Sequence, residues 1–147
     1  MKITTLVLLL INAFCSAQLR DLVQVRLQSN TIIQLDTFTG TIMVMDQTLN
    51  CQPCLTPREQ EIILLTAERL RFFSLPDSVH QQPDVTITGN TGVHILRIKT
   101  AKRDKSVVWF EPTEKSFKEY QLLRDLQNLI VNVVASKPDY YSILRHH

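Results

Sequence analysis

Glycine, cysteine and tryptophan are scarce in this sequence, which has 3, 3 and 1 of them among 147 residues. A phosphate-binding Gly-x-x-x-x-Gly-Lys loop and a Gly-x-Ser-x-Gly nucleophile turn both depend on closely spaced glycines, and neither motif occurs. The carboxylates are scattered, and turn, helix-cap and surface positions account for them. These absences argue against nucleotide hydrolysis through a phosphate loop and against serine-based hydrolysis.

A basic block and a long apolar run are also missing. The formal net charge of +2 at pH 7 is spread along the chain, so nothing indicates a nucleic acid or an anionic membrane as a partner. A hydrophobic content of 44% with few glycines and prolines is typical of a packed core and not of a disordered chain. We therefore expect a folded domain that binds no nucleic acid.

The amino-terminal segment has the three-part layout of a secretory signal peptide. Within residues 1–17, Lys2 precedes the apolar run 6–11, and Ala17 ends the segment after another small residue. The run is far shorter than the roughly 20 residues of a membrane-spanning helix, and no later segment approaches that length. We expect cleavage after Ala17, which leaves residues 18–147 as a single secreted or periplasmic domain without a membrane span.

Cys15 leaves a second interpretation of this segment open, in which a lipid anchors the protein. Bacterial lipoprotein signals resemble Leu-Ala-Gly-Cys, with a small residue directly before the cysteine. Phe14 stands at that position here, which favours ordinary cleavage and a mature chain that begins at Gln18.

Alternation of apolar and polar residues, the period of a half-buried strand, recurs along the chain. In the first half it predicts an antiparallel meander with strands over 22–28, 31–36 and 42–45, joined by short turns. In the second half it predicts strands over 85–87, 93–99 and 107–110.

Capping signals predict two helices. Thr56, Pro57 and Glu59 form a capping box with proline at the first helical position, and the helix is expected to end at Leu75-Pro76. Ser116 and Glu119 form a second box, which predicts a helix that runs to Ala135. The apolar stripes that these helices would bury comprise Ile63, Ala67 and Leu70 in the first and Leu123, Leu126, Ile130 and Val133 in the second.

Strands, helix, strands and helix in this order, without β-α-β alternation, predict an α+β fold. We expect an antiparallel sheet with both helices packed on one face and with Trp109 in the core. The opposite face would be solvated and mildly basic, and it would carry Gln24, Arg26, Gln34, Arg97 and Lys99.

The motif Cys51-Gln52-Pro53-Cys54 is the one sequence motif whose side chains suggest a reaction, namely thiol-disulfide exchange. Two thiols at this spacing can close a small disulfide ring, and a thiol near a helix amino terminus is activated by the helix dipole. The motif resembles the active site of thioredoxin-like oxidoreductases, which implies Cys51 as nucleophile and Cys54 as resolving thiol. The helix cap lies beyond both thiols, at Thr56, and this favours a structural disulfide.

Metal binding is a weaker interpretation of the histidines. His80 and His94 are the only ones in the middle of the chain, and their spacing from Cys54 matches no zinc-binding pattern. His94 alternates with Leu96 and Ile98, so we expect its ring to face the core. We assign no metal ion, no cofactor and no catalytic residue outside the redox alternative.

Three functions are compatible with the sequence. The one we favour is a secreted, non-catalytic interaction or structural domain whose partner is another secreted or envelope protein. The second is a thiol-disulfide exchange protein that uses Cys51 and Cys54. The third follows from a resemblance: residues 55–76 followed by a hairpin over 93–110 and a helix are similar to small secreted bacterial domains, some of them emfourin-like protease inhibitors.

Expression of the full chain in a host with an export pathway should yield a protein that begins at Gln18 or its cyclised pyroglutamate form, because the signal peptide is removed after Ala17. Intact-mass measurement of the recovered protein checks this. Replacement of the small residue at the cleavage site, Ala17→Phe, should retain the signal peptide and serves as the control. Intact protein in the cytosol that still begins at Met1, with its thiols reduced, would contradict the expectation.

Overall fold

The computed structural model describes residues 23–29, 33–45, 47–79, 92–111 and 118–140. In this part of the chain the strands are β1 (Gln24–Gln28), β2 (Ile33–Asp36), β3 (Thr41–Val44), β4 (Gln47–Asn50), β5 (Ser78–Val79), β6 (Gly92–Lys99) and β7 (Asp104–Glu111). The helices are α1 (Pro57–Arg69) and α2 (Lys118–Ala135), with a short 3-10 turn at Phe72–Ser74. The predicted signal peptide, the predicted strand over 85–87, His80 and Ser116 lie outside the described residues.

The strands form one seven-stranded sheet in the order β4-β3-β2-β1-β6-β7-β5. All neighbours pair antiparallel except β5, which pairs parallel with β7. The predicted α+β class with a largely antiparallel sheet is confirmed. The outermost strands β4 and β5 were not predicted, because Gln47, Thr48 and Asn50 are polar and exposed without alternation, and β5 has only two residues.

Helix α1 begins where its capping box predicts. The Thr56 hydroxyl accepts a hydrogen bond from the Glu59 backbone N–H at 3.3 Å, and the Glu59 carboxylate accepts one from the Thr56 N–H at 2.7 Å. The predicted end at Leu75-Pro76 is wrong, because the helix ends at Arg69. Arg71 takes a left-handed conformation with φ 55°, and the turn that follows buries Phe72 in the core.

The core lies between one face of the sheet and the two helices. Both helices and the sheet contribute to one cluster of buried side chains, and α2 packs against β2 and α1. Side chains that are fully or almost fully buried include Leu27, Leu35, Ile42, Leu96, Ile98 and Trp109 from the sheet and Ile63, Leu123, Leu126 and Ile130 from the helices. Val134 and not Val133 completes the buried stripe of α2, since four residues from Ile130 return it to the same helix face.

His94 faces the core, as its place in an alternating strand predicts. Its side chain is buried, and its ring stacks on the Trp109 ring with centroids 5.1 Å apart and an angle of 12° between the planes. Trp109 lies directly opposite His94 on β7 and is fully buried, so the prediction that it belongs to the core is confirmed.

An ion pair ties the start of α1 to the chain just after α2. The Lys137 ammonium lies 2.8 Å and 3.0 Å from the two Glu59 carboxylate oxygens. Partial burial raises the pKa of the Glu59 carboxyl, but hydrogen bonds from Lys137 and from the Thr56 backbone outweigh it and hold the pKa below 4.5. The same carboxylate therefore caps one helix and joins both helices.

Substitution of Glu59→Gln should lower the free energy of unfolding by about 1 kcal/mol near neutral pH. Because the folded state lowers the pKa of this carboxyl, its stabilising contribution is present above 4.5 and is lost as the pH falls further. The difference between wild type and variant in urea unfolding should accordingly shrink toward about pH 3.

The matched control is Glu61→Gln, which removes an exposed charge from the same helix. It should leave the free energy of unfolding within about 0.5 kcal/mol of the wild type. A Glu59→Gln variant whose stability deficit stays constant between neutral and acid pH would show that the ion pair does not act as described.

Candidate functional site

The side of the sheet that faces away from the helices, the open face, carries the polar groups of the central strands. Gln24, Arg26, Gln34, Arg97 and Lys99 all lie there, as predicted, because each alternates with buried residues of its strand. Across the β1–β6 pair, Gln24 lies opposite Lys99 and Arg26 lies opposite Arg97. The two arginines are therefore side by side in the middle of the sheet.

A carboxylate holds each of these arginines. Arg26 Nε donates a hydrogen bond to Asp36 Oδ2 at 3.0 Å, and Arg26 Nη2 forms an ion pair with the same oxygen, also at 3.0 Å. Arg97 forms a two-pronged pair with Asp104, with Nε to Oδ1 at 2.8 Å and Nη2 to Oδ2 at 2.6 Å. The hydrogen bonds from Arg97 hold the pKa of the Asp104 carboxyl below its ordinary value of 3.8. The Asp104 carboxylate is thus favoured in its ionised form as the partner of Arg97.

Phe38 joins the two guanidinium groups. Its ring centroid lies 5.1 Å from the Arg26 guanidinium carbon and 4.7 Å from that of Arg97, within the range of cation–π attraction. Phe38 sits in the β2–β3 turn, where its backbone N–H donates to Asp36 Oδ1 at 2.9 Å. Asp36 therefore fixes both the turn that presents the ring and one of the arginines beneath it.

An open concavity of about 610 Å³ lies on this face beside the arginines. Its walls and floor comprise Arg26, Gln28, Asp77, Ile95, Arg97, Asp104, Lys105, Ser106 and Val108. Ile95 and Val108 lie opposite each other on β6 and β7 and form an apolar floor. At the far wall, the Lys105 ammonium pairs with the Asp77 carboxylate. The concavity thus combines a small apolar centre with hydrogen-bonding groups at its rim.

The cysteine motif lies in the connection between β4 and α1, away from the residues that line the concavity. The two sulfur atoms are 1.98 Å apart, at disulfide-bonding distance, and the Gln52–Pro53 peptide is cis. Cys51 and Cys54 are 8% and 5% exposed. Such burial restricts the approach of an external thiolate, which thiol-disulfide exchange requires.

A backbone contact docks this loop on the β2–β3 turn. The Cys51 N–H donates to the Gly40 carbonyl at 2.9 Å, and Gly40 has a left-handed φ of 71°. A side-chain carbon at Gly40 would meet the Cys51 carbonyl oxygen at 3.1 Å, so the close approach also favours glycine. The cysteine pair therefore belongs to the packing of the turn and the helix start.

The described part of the chain supplies no group of three or more His, Cys, Asp and Glu side chains that could hold a metal ion. In the same part, no helix combines the length and the apolar character needed to cross a bilayer. Of the two histidines considered as metal ligands, His80 lies outside the described residues, and His94 is stacked on Trp109 in the core.

Comparison of the chain with protein-family models, curated proteins and solved structures finds no match. The resemblance to secreted bacterial domains and emfourin-like inhibitors thus stays a hypothesis. Function has to be inferred from the open face and the cysteine loop themselves.

Replacing both cysteines, Cys51→Ser with Cys54→Ser, should lower the free energy of unfolding by at most about 2 kcal/mol, because so short a ring restricts the unfolded chain little. Urea unfolding of the oxidised wild type, the reduced wild type and the double variant measures this. The reduced wild type is the matched control, since it loses the bond without any change in sequence.

Because both sulfurs are buried, the wild type should reduce insulin no faster than the Cys51→Ser variant in a turbidity assay with dithiothreitol. Faster reduction by the wild type would contradict a purely structural role for the pair and favour the exchange alternative.

Proposed function

We propose that the chain is exported and acts as a non-catalytic interaction domain, which holds another secreted or envelope protein on its open face. The observation that carries this proposal is the concavity, in which the apolar floor of Ile95 and Val108 is rimmed by Arg26, Arg97 and Ser106. An apolar centre with a polar rim, and enrichment in arginine, is the usual composition of a protein–protein interface.

The arginines are held in place before any partner arrives. Two carboxylates and one aromatic ring fix the guanidinium groups of Arg26 and Arg97. A side chain that is already ordered loses less conformational entropy on binding, so more of the contact energy contributes to affinity. This supports recognition as the role of the open face.

The cysteine loop supports the same choice over the redox alternative. Burial of Cys51 and Cys54 and the hydrogen bond from Cys51 to Gly40 support a structural role for the pair. A structural disulfide fits a protein that works in an oxidising compartment, in agreement with the proposed export.

Blocking the concavity should abolish partner binding without unfolding the protein. Ser106 is exposed and lines the concavity, so Ser106→Trp fills the space while removing no core contact. Biotinylated exported protein would be exposed to the secreted and envelope fractions of its native host, and the retained proteins quantified by mass spectrometry. A partner retained by the wild type should be depleted at least about tenfold with Ser106→Trp.

The control is Leu65→Trp, which adds the same ring on α1, where Leu65 is 61% exposed. It should retain the partner as the wild type does, and circular dichroism should confirm that both variants are folded. Equal retention of every captured protein by Ser106→Trp and Leu65→Trp would overturn the proposal.

A further inference from the structure

We infer that the open face recognises an extended acidic segment of its partner, in which a carboxylate side chain lies two residues from an apolar side chain. This inference rests on the proposed function and names the chemistry of the partner.

The carboxylate would bind between Arg26 and Arg97. Arg97 donates from Nε and Nη2 to Asp104, whereas Arg26 donates from Nε to Asp36 and has Nη2 at ion-pair distance. Among the described residues, neither Nη1 donates a hydrogen bond. The two residues are direct neighbours across β1 and β6, and both guanidiniums lie against the ring of Phe38. Their unused N–H groups can therefore converge on one carboxylate, which accepts through two oxygens.

The charge around the concavity favours an isolated acidic group. Its lining holds three cations, Arg26, Arg97 and Lys105, and two carboxylates, Asp77 and Asp104. Asp36 pairs with Arg26 next to the lining, and Lys99 lies directly opposite Asp104, so the whole group carries one positive charge in excess. One incoming carboxylate balances this set, whereas a basic segment would add to the positive excess. A nucleic acid, with its closely spaced phosphates, would bring further negative charges toward the two carboxylates. A protein segment with a single acidic group fits better than a polyanion.

The spacing of the apolar floor sets the sequence pattern of the partner. Ile95 lies two residues before Arg97 on the same strand and the same face, with Val108 beside it on β7. Residues two apart on a strand are separated by about 6.6 Å, and an extended peptide has the same repeat. An acidic residue on the arginines would therefore place the second residue along the peptide over Ile95 and Val108.

The test uses the exported, ¹⁵N-labelled protein and two synthetic peptides, Ser-Glu-Ser-Val-Ser and Ser-Gln-Ser-Val-Ser, with capped ends. The glutamate peptide should shift the amide resonances of β6 and β7 around Ile95 and Arg97. Binding should be at least about tenfold weaker for the glutamine peptide and for the Arg97→Gln protein, since each loses charge-assisted hydrogen bonds. It should also weaken with added salt.

The matched control for Arg97→Gln is Arg103→Gln. Arg103 also pairs with a carboxylate, Glu68, and stacks on a phenylalanine, Phe73, at 3.9 Å, but it does not line the concavity. Its loss should leave peptide binding within about twofold of the wild type. The double variant Arg97→Gln with Asp104→Asn keeps the net charge and leaves no bare carboxylate, so it should bind as weakly as Arg97→Gln alone.

Three results would overturn the inference: equal binding of the two peptides, equal weakening by Arg97→Gln and Arg103→Gln, or tighter binding of a single-stranded oligonucleotide than of the glutamate peptide. Retention of the native partner by the two variants distinguishes a failure of this inference from a failure of the proposed function. If Ser106→Trp loses the partner while Arg97→Gln keeps it, acidic recognition is wrong and the interaction domain stands. If Ser106→Trp keeps the partner, the proposed function itself has failed.

Discussion

The two-residue alternation of the central strands is the constraint on which the rest of this structure depends. Val25, Leu27, Leu96 and Ile98 turn one way and are fully buried beneath the helices. Since successive side chains on a strand point to opposite faces, this burial forces the residues between them onto the other side. A shift of one residue in the register of β1 would move its apolar residues into solvent and its arginine into the core. Stability and the layout of the candidate site thus have one common origin.

The pairing of β1 with β6 places two arginines opposite each other, an arrangement that is unfavourable by itself. Like charges directly opposite each other on neighbouring strands are destabilising, yet Arg26 and Arg97 occupy such positions. Asp36, Asp104 and the Phe38 ring compensate with ion pairs and cation–π contacts. A set of polar groups kept in place by so many contacts on a solvated face contributes little to the core, which is why we interpret it as a recognition surface.

Much of the fold follows from local signals in the sequence. The hydroxyl of Thr56 and the carboxylate of Glu59 define the start of α1 because each satisfies a backbone N–H of the other residue. The end of α1 could not be predicted, since Arg71 adopts its left-handed conformation to bury Phe72, a tertiary effect. Strand β4 has no periodic pattern, because an outer strand with one half-buried side chain, Leu49, needs none.

The candidate site was predictable only in part. Alternation placed Arg26 and Arg97 on the open face, but nothing local indicated that they would be neighbours, because the pairing of β1 with β6 joins distant parts of the chain. The role of Phe38 was missed for a related reason. The residues between the strands over 31–36 and 42–45 were predicted to form a short turn, which they do. The direction of the Phe38 ring, however, depends on the two guanidinium groups that it contacts.

The outermost strand β4 has a consequence for the behaviour of the protein at high concentration. It spans only Gln47–Asn50, and Gln47, Thr48 and Asn50 are exposed and polar. A strand this short offers few backbone groups to a sheet from another molecule, and its side chains gain little by leaving water. This border of the sheet therefore disfavours edge-to-edge growth into fibres, which would be an advantage for the protein in the exported role that we propose.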